Sequence, residues 1–378
     1  MFNDKYQEKL EKDLVNIYKN YKSKYKIDYN YPEKLKKKYF DRDIIHKKVF
    51  PLVKIIIKDG EAIVNKKIIE QFKESQDFRI VYKYRMVKKT LEWCKRNNLT
   101  VPNTTLHFWI TDAYPFYHEN YNHFPLFVDS RPQNLNIPIF PDVTFECFTV
   151  DKKYSDRCLQ WDTTKRIIKR NANHDIKDKQ KKFYFKGTDT TRRHNNMRFN
   201  IKNWSLTNEI NGTILLDAWR NYEPIYKTSE YFYLLNLPGH YGWSNRLKYL
   251  YLMKSIVINI NMKTIMYKDD IIESIDEKFI SFIDYIIKPN NDFEYTYTYH
   301  MKNDNNFFMS STINDYIIEE NNKLLQFLKS IPSKYNSNKE QYNKMIERNY
   351  KKVFKLTDER MYSYIYRSIL LNSEFFNK

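Results

Sequence analysis

The stretch Tyr231 to Ile260, YFYLLNLPGHYGWSNRLKYLYLMKSIVINI, constrains the fold more than any other part of the chain. An apolar run over Tyr231 to Leu237 has the length of a strand, and Pro238-Gly239 breaks it. Gly242 follows, Ser244 stands where a helix N-cap belongs, and the pattern from Arg246 to Lys254 is helical. Ile256 to Ile260, IVINI, reads as a second, β-branched strand. Strand, glycine loop, helix and strand predict a βαβ unit, and hence a parallel sheet. The helix N-terminus would face the loop, where unpaired N–H groups and the helix dipole favour a phosphate. Arg246 in the first turn adds a guanidinium fork that matches phosphate oxygens. The same pattern also describes a plain connecting loop with a solvated arginine, because a lone glycine loop is a weak signal.

The scarcity of glycine favours a ligand. The chain has only five, Gly60, Gly187, Gly212, Gly239 and Gly242, and four of them fall between 187 and 242. A chain so poor in glycine keeps it where the backbone needs positive φ or close approach. Gly187 sits in a second such loop, Lys186-Gly187-Thr188-Asp189-Thr190-Thr191-Arg192-Arg193, dense in hydroxyls and cations. It follows a predicted strand at Lys182 to Phe185.

The rest of the chain sets the frame. Its 378 residues allow two domains with real cores, and 42% hydrophobic with 17% aromatic content excludes a disordered chain. The net charge of +19 invites a nucleic-acid reading. Lys, Asn, Ile, Tyr and Phe are enriched together, however, as AT-rich coding produces, and the basic residues are spread along the chain, so nucleic acid is not the expected partner. No apolar run reaches 18 residues, and the first residues read as an amphipathic helix, not a leader. Cys94, Cys147 and Cys158 are odd in number and lack metal-ligand spacing. They read as core thiols in a reducing, cytoplasmic setting.

In chain order, residues 1–48 are expected to be largely helical. Leu52 to Ile57, Asp59-Gly60 and Ala62 to Val64 predict a hairpin, and helices follow near Lys66 to Ser75 and Tyr82 to Arg96. Thr105 to Thr111 is a predicted strand ending at Asp112, where α/β folds place ligands. Asp162 to Arg170 is a predicted helix, Asn171 to Lys182 a linker, and Phe199 to Trp204 and Thr213 to Trp219 further strand material. Helices are predicted over Thr312 to Ser330 and, as a pair, over Lys339 to Leu371.

Five segments carry a resemblance: TLHFWITDAYP (105–115), PIFPDVTF (138–145), KKFYFKGTDTTRR (181–193), HYGWSNRLKYLYLMKSIVI (240–258) and FKLTDERMYSYIYRSILL (354–371). Together they resemble glycosyltransferase family 90, the capsule-associated and protein O-glucosyltransferase family, and the most specific part is Trp243-Ser244-Asn245-Arg246-Leu247. The resemblance implies a GT-B fold, two Rossmann-like α/β domains facing across a cleft. It implies inverting transfer of glucose or xylose from a UDP-sugar to a protein or glycan hydroxyl, with no cofactor and no metal-binding Asp-x-Asp. It makes Asp112 the catalytic base, and it sets Lys186, Gly187, Thr188 and Arg192 or Arg193 on the donor diphosphate. Gly242, Ser244, Asn245 and Arg246 complete the donor site. The expected division is 1–175 for the acceptor side, 176–340 for the nucleotide sugar, and 341–378 for helices returning to the first domain.

The sequence departs from the family where Lys186 replaces an arginine, where Gly239 lies one residue further from Arg246, and where a His-Tyr-x-Pro strand end becomes Asp284 to Pro289. These departures keep a second reading open, a non-enzymatic binder of a glycan or nucleotide sugar. Asp41-Arg42-Asp43 has the Asp-x-Asp form but follows a Lys-rich segment and reads as a helix cap. His118 and His123 are too far apart for a helical metal pair and sit in an aromatic loop.

Overall fold

The computed structural model describes residues 12, 14–20, 52–74, 79–110, 124–132, 137–150, 158–173, 175–188, 197–217, 223–237, 245–260, 264–266 and 311–376. The fold is mixed α/β, with a parallel sheet and helices. The chain divides into two compact units: Met1–Cys147 with Ile265–Asp270 and Leu356–Lys378, and Phe148–Thr264 with Ile271–Lys355.

The first unit is built on an antiparallel sheet in which β1 (Leu52–Lys58) lies between β2 (Glu61–Ile63) and β3 (Thr104–Trp109). Asp59 and Gly60 close the β1–β2 hairpin with φ of 51° and 78°, the paired positive values that a tight hairpin demands. The alternation of β1 turns Val53, Ile55 and Ile57 inward and Lys54 and Lys58 outward. Helix α1 (Lys66–Glu74) leads to α2 (Arg79–Arg96), whose Ile80, Met86, Val87, Leu91 and Cys94 are buried. Lys83 of α2 is also buried, ion-paired with Asp129 and lying over the rings of Phe108 and Phe140. A buried charge is tolerated only with such a partner.

The last helix, which we number α8 (Asp358–Phe376), belongs to this unit. Its Asn372 donates to Thr104 Oγ1 and the Thr105 carbonyl at 2.9 and 2.8 Å and accepts from the Tyr18 hydroxyl at 3.1 Å. His107 on β3 is held edge-on to Phe124 at 4.7 Å and against Phe376 at 6.0 Å.

The second unit carries a four-stranded parallel sheet in the order β5 (Gly212–Leu215), β4 (Gln180–Lys186), β6 (Tyr231–Asn236), β7 (Ile256–Asn259). It also holds helices α3 (Trp161–Asn171), α4 (Met197–Leu206), α5 (Leu247–Tyr251), α6 (Ser311–Ser337) and α7 (Lys339–Lys355). One core joins Phe183 and Phe185 of β4 to Ile201 of α4, Leu235 of β6, and Leu328 and Ile346 of α6 and α7.

Several expectations change here. Residues 199–204, read as strand, lie in α4: Met197, Arg198 and Ile201 are buried while Phe199 stays 43% exposed, which strand alternation would not produce. The charged segment read as a linker is anchored, because Lys179 is buried and its ammonium donates to the carbonyls of Asn173, Ser229 and Met253. The helix expected from Arg246 to Lys254 shrinks to Leu247–Tyr251, and Lys254 takes the left-handed conformation with φ of 50° before β7. Of the three cysteines, Cys94 is a buried thiol, but Cys147 and Cys158 are disulfide-bonded, so they are not the free core thiols expected. Among the described residues no helix is long and apolar enough to cross a membrane.

Candidate donor site

The order of the parallel strands locates the site. From β4 the chain crosses to β5 on one side, and the next strand, β6, returns to the other side. The direction of winding therefore reverses between β4 and β6. In open parallel sheets a crevice forms outside the carboxyl ends of the two strands at such a reversal. The segments leaving those ends begin at Gly187 and Pro238, the two glycine loops of the sequence.

Arg246 links them. It occupies the N-cap of α5, makes no capping bond with its side chain, and instead donates from Nη1 to the Lys186 carbonyl at the end of β4. Its Cζ lies 4.6 Å from the centre of the Phe185 ring. Part of the residue is accessible, yet the guanidinium is enclosed. Burial, and then the charge of Arg198, pulls it down to about 10. What this end of the sheet offers an anion is thus a guanidinium, and the one-and-a-half-turn helix behind it contributes little dipole.

Arg198, the second buried guanidinium, was not among the residues expected from sequence. It lies 5.1 Å over the same Phe185 ring and donates from Nη1 to the Thr188 carbonyl at 2.6 Å. The two carbonyls flanking Gly187 are therefore each held by an arginine. Two cations sharing one ring repel each other, and an anion between or beside them relieves that cost. Gly187 itself donates its N–H to Leu215 at 3.0 Å. A Cβ on it would stand 2.6 Å from Phe185 Cζ and 3.1 Å from Arg246 Nη2, so only glycine lets the backbone pass.

Lys186 takes a different place from the one expected. Strand alternation turns it with Tyr184 to the face opposite Phe185. There its ammonium pairs with Glu223 at 3.0 Å, and the Tyr184 hydroxyl donates to the same carboxylate at 3.1 Å. Tyr184 stacks on Tyr231 at 4.2 Å, and burial followed by the Glu223 charge raises its phenol well above the usual range.

Below the crevice, the Asn245 carbonyl accepts from buried Lys248 at 3.3 Å, and Lys248 lies over Tyr249 at 4.8 Å. Tyr249 in turn stacks on Phe148 at 4.0 Å and meets Trp161 edge-on. Among the described residues no donor reaches the buried Asn245 Oδ1. A buried acceptor left open in this way is expected beside a ligand.

The structure thus brings Lys186, Gly187, Thr188, Asn245 and Arg246 together, with Lys186 turned aside into an ion pair. Asp112, Arg192, Arg193, Gly242 and Ser244 lie outside the described residues, as do Asp41, Asp43, His118, His123 and Asp284 to Pro289. The signal for Arg198 was its helical spacing from Ile201, hidden by reading the segment as strand. Glu223 gave no signal, since a lone glutamate before a proline is unremarked in any sequence.

The family model described as Glycosyl transferase family 90 matches residues 43–276, more than half of the chain. The chain matches no curated protein.

Proposed function

The chain belongs to glycosyl transferase family 90, and from that premise we propose an inverting transfer of glucose or xylose from a UDP-sugar to a protein or glycan hydroxyl. The observation that carries the donor side is Arg246, which holds the Lys186 carbonyl at the end of β4 beside a glycine whose Cβ position is filled by the Phe185 ring and the Arg246 guanidinium. A departing UDP carries its negative charge on the diphosphate, and a fixed guanidinium in an enclosed site stabilises that charge as it develops. In this reading the acceptor oxygen attacks the anomeric carbon, the bond from that carbon to the diphosphate breaks, and the acceptor proton passes to Asp112. The two units then correspond to the halves of a GT-B enzyme, and neither cofactor nor metal takes part.

Calorimetry with UDP tests the donor assignment. Arg246→Ala is expected to weaken binding by about 2–4 kcal/mol, the worth of a charge-assisted contact in an enclosed site. Arg246→Lys restores only part of it, because an ammonium lacks the planar fork. Unchanged UDP affinity in Arg246→Ala would remove the donor site.

The Lys186–Glu223 pair favours a second reading, a non-catalytic binder of nucleotide sugars. It diverts the cation that stands where the family has an arginine.

A further inference from the structure

Glu223 is built as a binding group and not as a casual surface ion pair. Both of its bonds converge on one oxygen: the Lys186 ammonium and the Tyr184 hydroxyl each reach Oε2, at 3.0 and 3.1 Å. The donors are themselves fixed. Lys186 is 12% exposed with its carbonyl gripped by Arg246, and Tyr184 is buried and stacked on Tyr231. The carboxylate is 48% exposed, and among the described residues Oε1 has no protein partner. An exposed Lys–Glu pair ordinarily leaves both side chains mobile and contributes little. Here a buried tyrosine and a largely buried lysine hold one oxygen and leave the other open, on the face of β4 opposite Phe185 and at the carboxyl end of that strand.

We propose that Glu223 is a hydroxyl-recognising carboxylate: Oε1 accepts hydrogen bonds from a hydroxyl-bearing ring of the donor nucleotide sugar. A carboxylate anchored at the strand ends of a parallel α/β sheet is well suited to a vicinal diol, whose two O–H groups need a fixed acceptor. The hydroxyls have two sources in such a ligand, the ribose and the transferred sugar, and both have the same chemistry. The assignment rests on the donor reading above, and it gives Lys186 a role as the positioning residue of Glu223 instead of a phosphate ligand.

The test uses the full chain as wild type, Glu223→Gln, Glu223→Ala and Arg246→Ala, titrated calorimetrically with UDP, 2′-deoxy-UDP and UDP-glucose, with the melting temperature of each variant recorded. Glu223→Gln keeps size and shape, so its melting temperature is expected to stay near wild type. Its affinity for the ligand that carries the recognised hydroxyls is expected to fall by about 10–100-fold, the range for losing a hydrogen bond to a charged group. If the ribose is the source, wild type discriminates against 2′-deoxy-UDP and Glu223→Gln does not. If the transferred sugar is the source, UDP binds both proteins equally and only UDP-glucose is lost. A Glu223→Gln protein that binds all three ligands as wild type does, while Arg246→Ala has lost them, overturns the assignment and leaves the donor reading standing. A wild type that binds none of the three overturns both.

Discussion

At the scale of single residues, the crevice depends on what is missing as much as on what is present. Gly187 has the Phe185 ring and the Arg246 guanidinium where a Cβ would go, and that ring is held in the core and covered by two arginines. Gly187→Ala must therefore push the ring or the guanidinium aside. It is expected to lower stability by about 1–3 kcal/mol, the usual cost of overpacking, and to weaken UDP binding as well. Chemical denaturation and calorimetry on the one variant measure both. Asp112 separates an enzyme from a binder. On the proposed reading Asp112→Asn keeps the shape of the side chain and removes the proposed base, so transfer is expected to fall by about 10²–10⁴ while UDP affinity stays near wild type. Full turnover with a lowered melting temperature would show a structural aspartate.

At the scale of elements, β3 and α8 share a group that titrates against the fold. Burial, and then the charge of Lys54 on the neighbouring strand, lowers His107 from its ordinary 6.5 to about 4. The imidazole is thus neutral when folded, and the unfolded chain takes up the proton first as pH falls. The contribution is fully present above 6.5, is lost as pH drops through 6.5 to 4, and amounts to about 3 kcal/mol. His107→Leu is expected to remove that part of the acid slope in melting temperature. The packing is expected to survive, because Leu refills the apolar space between Phe124 and Phe376. The same elements show what the sequence could reveal. The β1–β2 hairpin and the strands β4, β6 and β7 were legible because the alternation of β1, the continuous apolar runs of the parallel strands and the Asp-Gly or Pro-Gly breaks are local signals. α4 was misread because Phe199, Ile201 and Trp204 look β-forming, and only the tertiary position of Arg198 and Ile201 decides for helix. The extent of α5 was overestimated because nothing local announces that Lys254 will take a left-handed turn. In the site, Gly187 and Arg246 were legible as a glycine loop and a cation. The turning of Lys186 toward Glu223 was not, since it depends on a residue 37 positions away making contact across the sheet face.

At the scale of the whole molecule, the formal charge of +19 overstates the basic surface. Lys83, Lys165, Lys179, Lys248 and Arg198 are each at most 5% exposed and are spent on carbonyls, carboxylates and aromatic faces. The enclosed guanidinium of Arg246 suits a small anion better than a nucleic-acid backbone. UDP is accordingly expected to raise the melting temperature of the full chain in EDTA, by an amount that grows with its excess over the dissociation constant. Stabilisation that appears only when Mn²⁺ or Mg²⁺ is added would return attention to Asp41 and Asp43. Lys179 has a further consequence. Burial lowers its ammonium to about 8, a basicity that by itself would make it a ready amine to acylate. The three carbonyls that enclose it deny a reagent any approach. Its modification therefore has to wait for the parallel-sheet unit to open, which makes this one amine a chemical clock for the breathing of that unit.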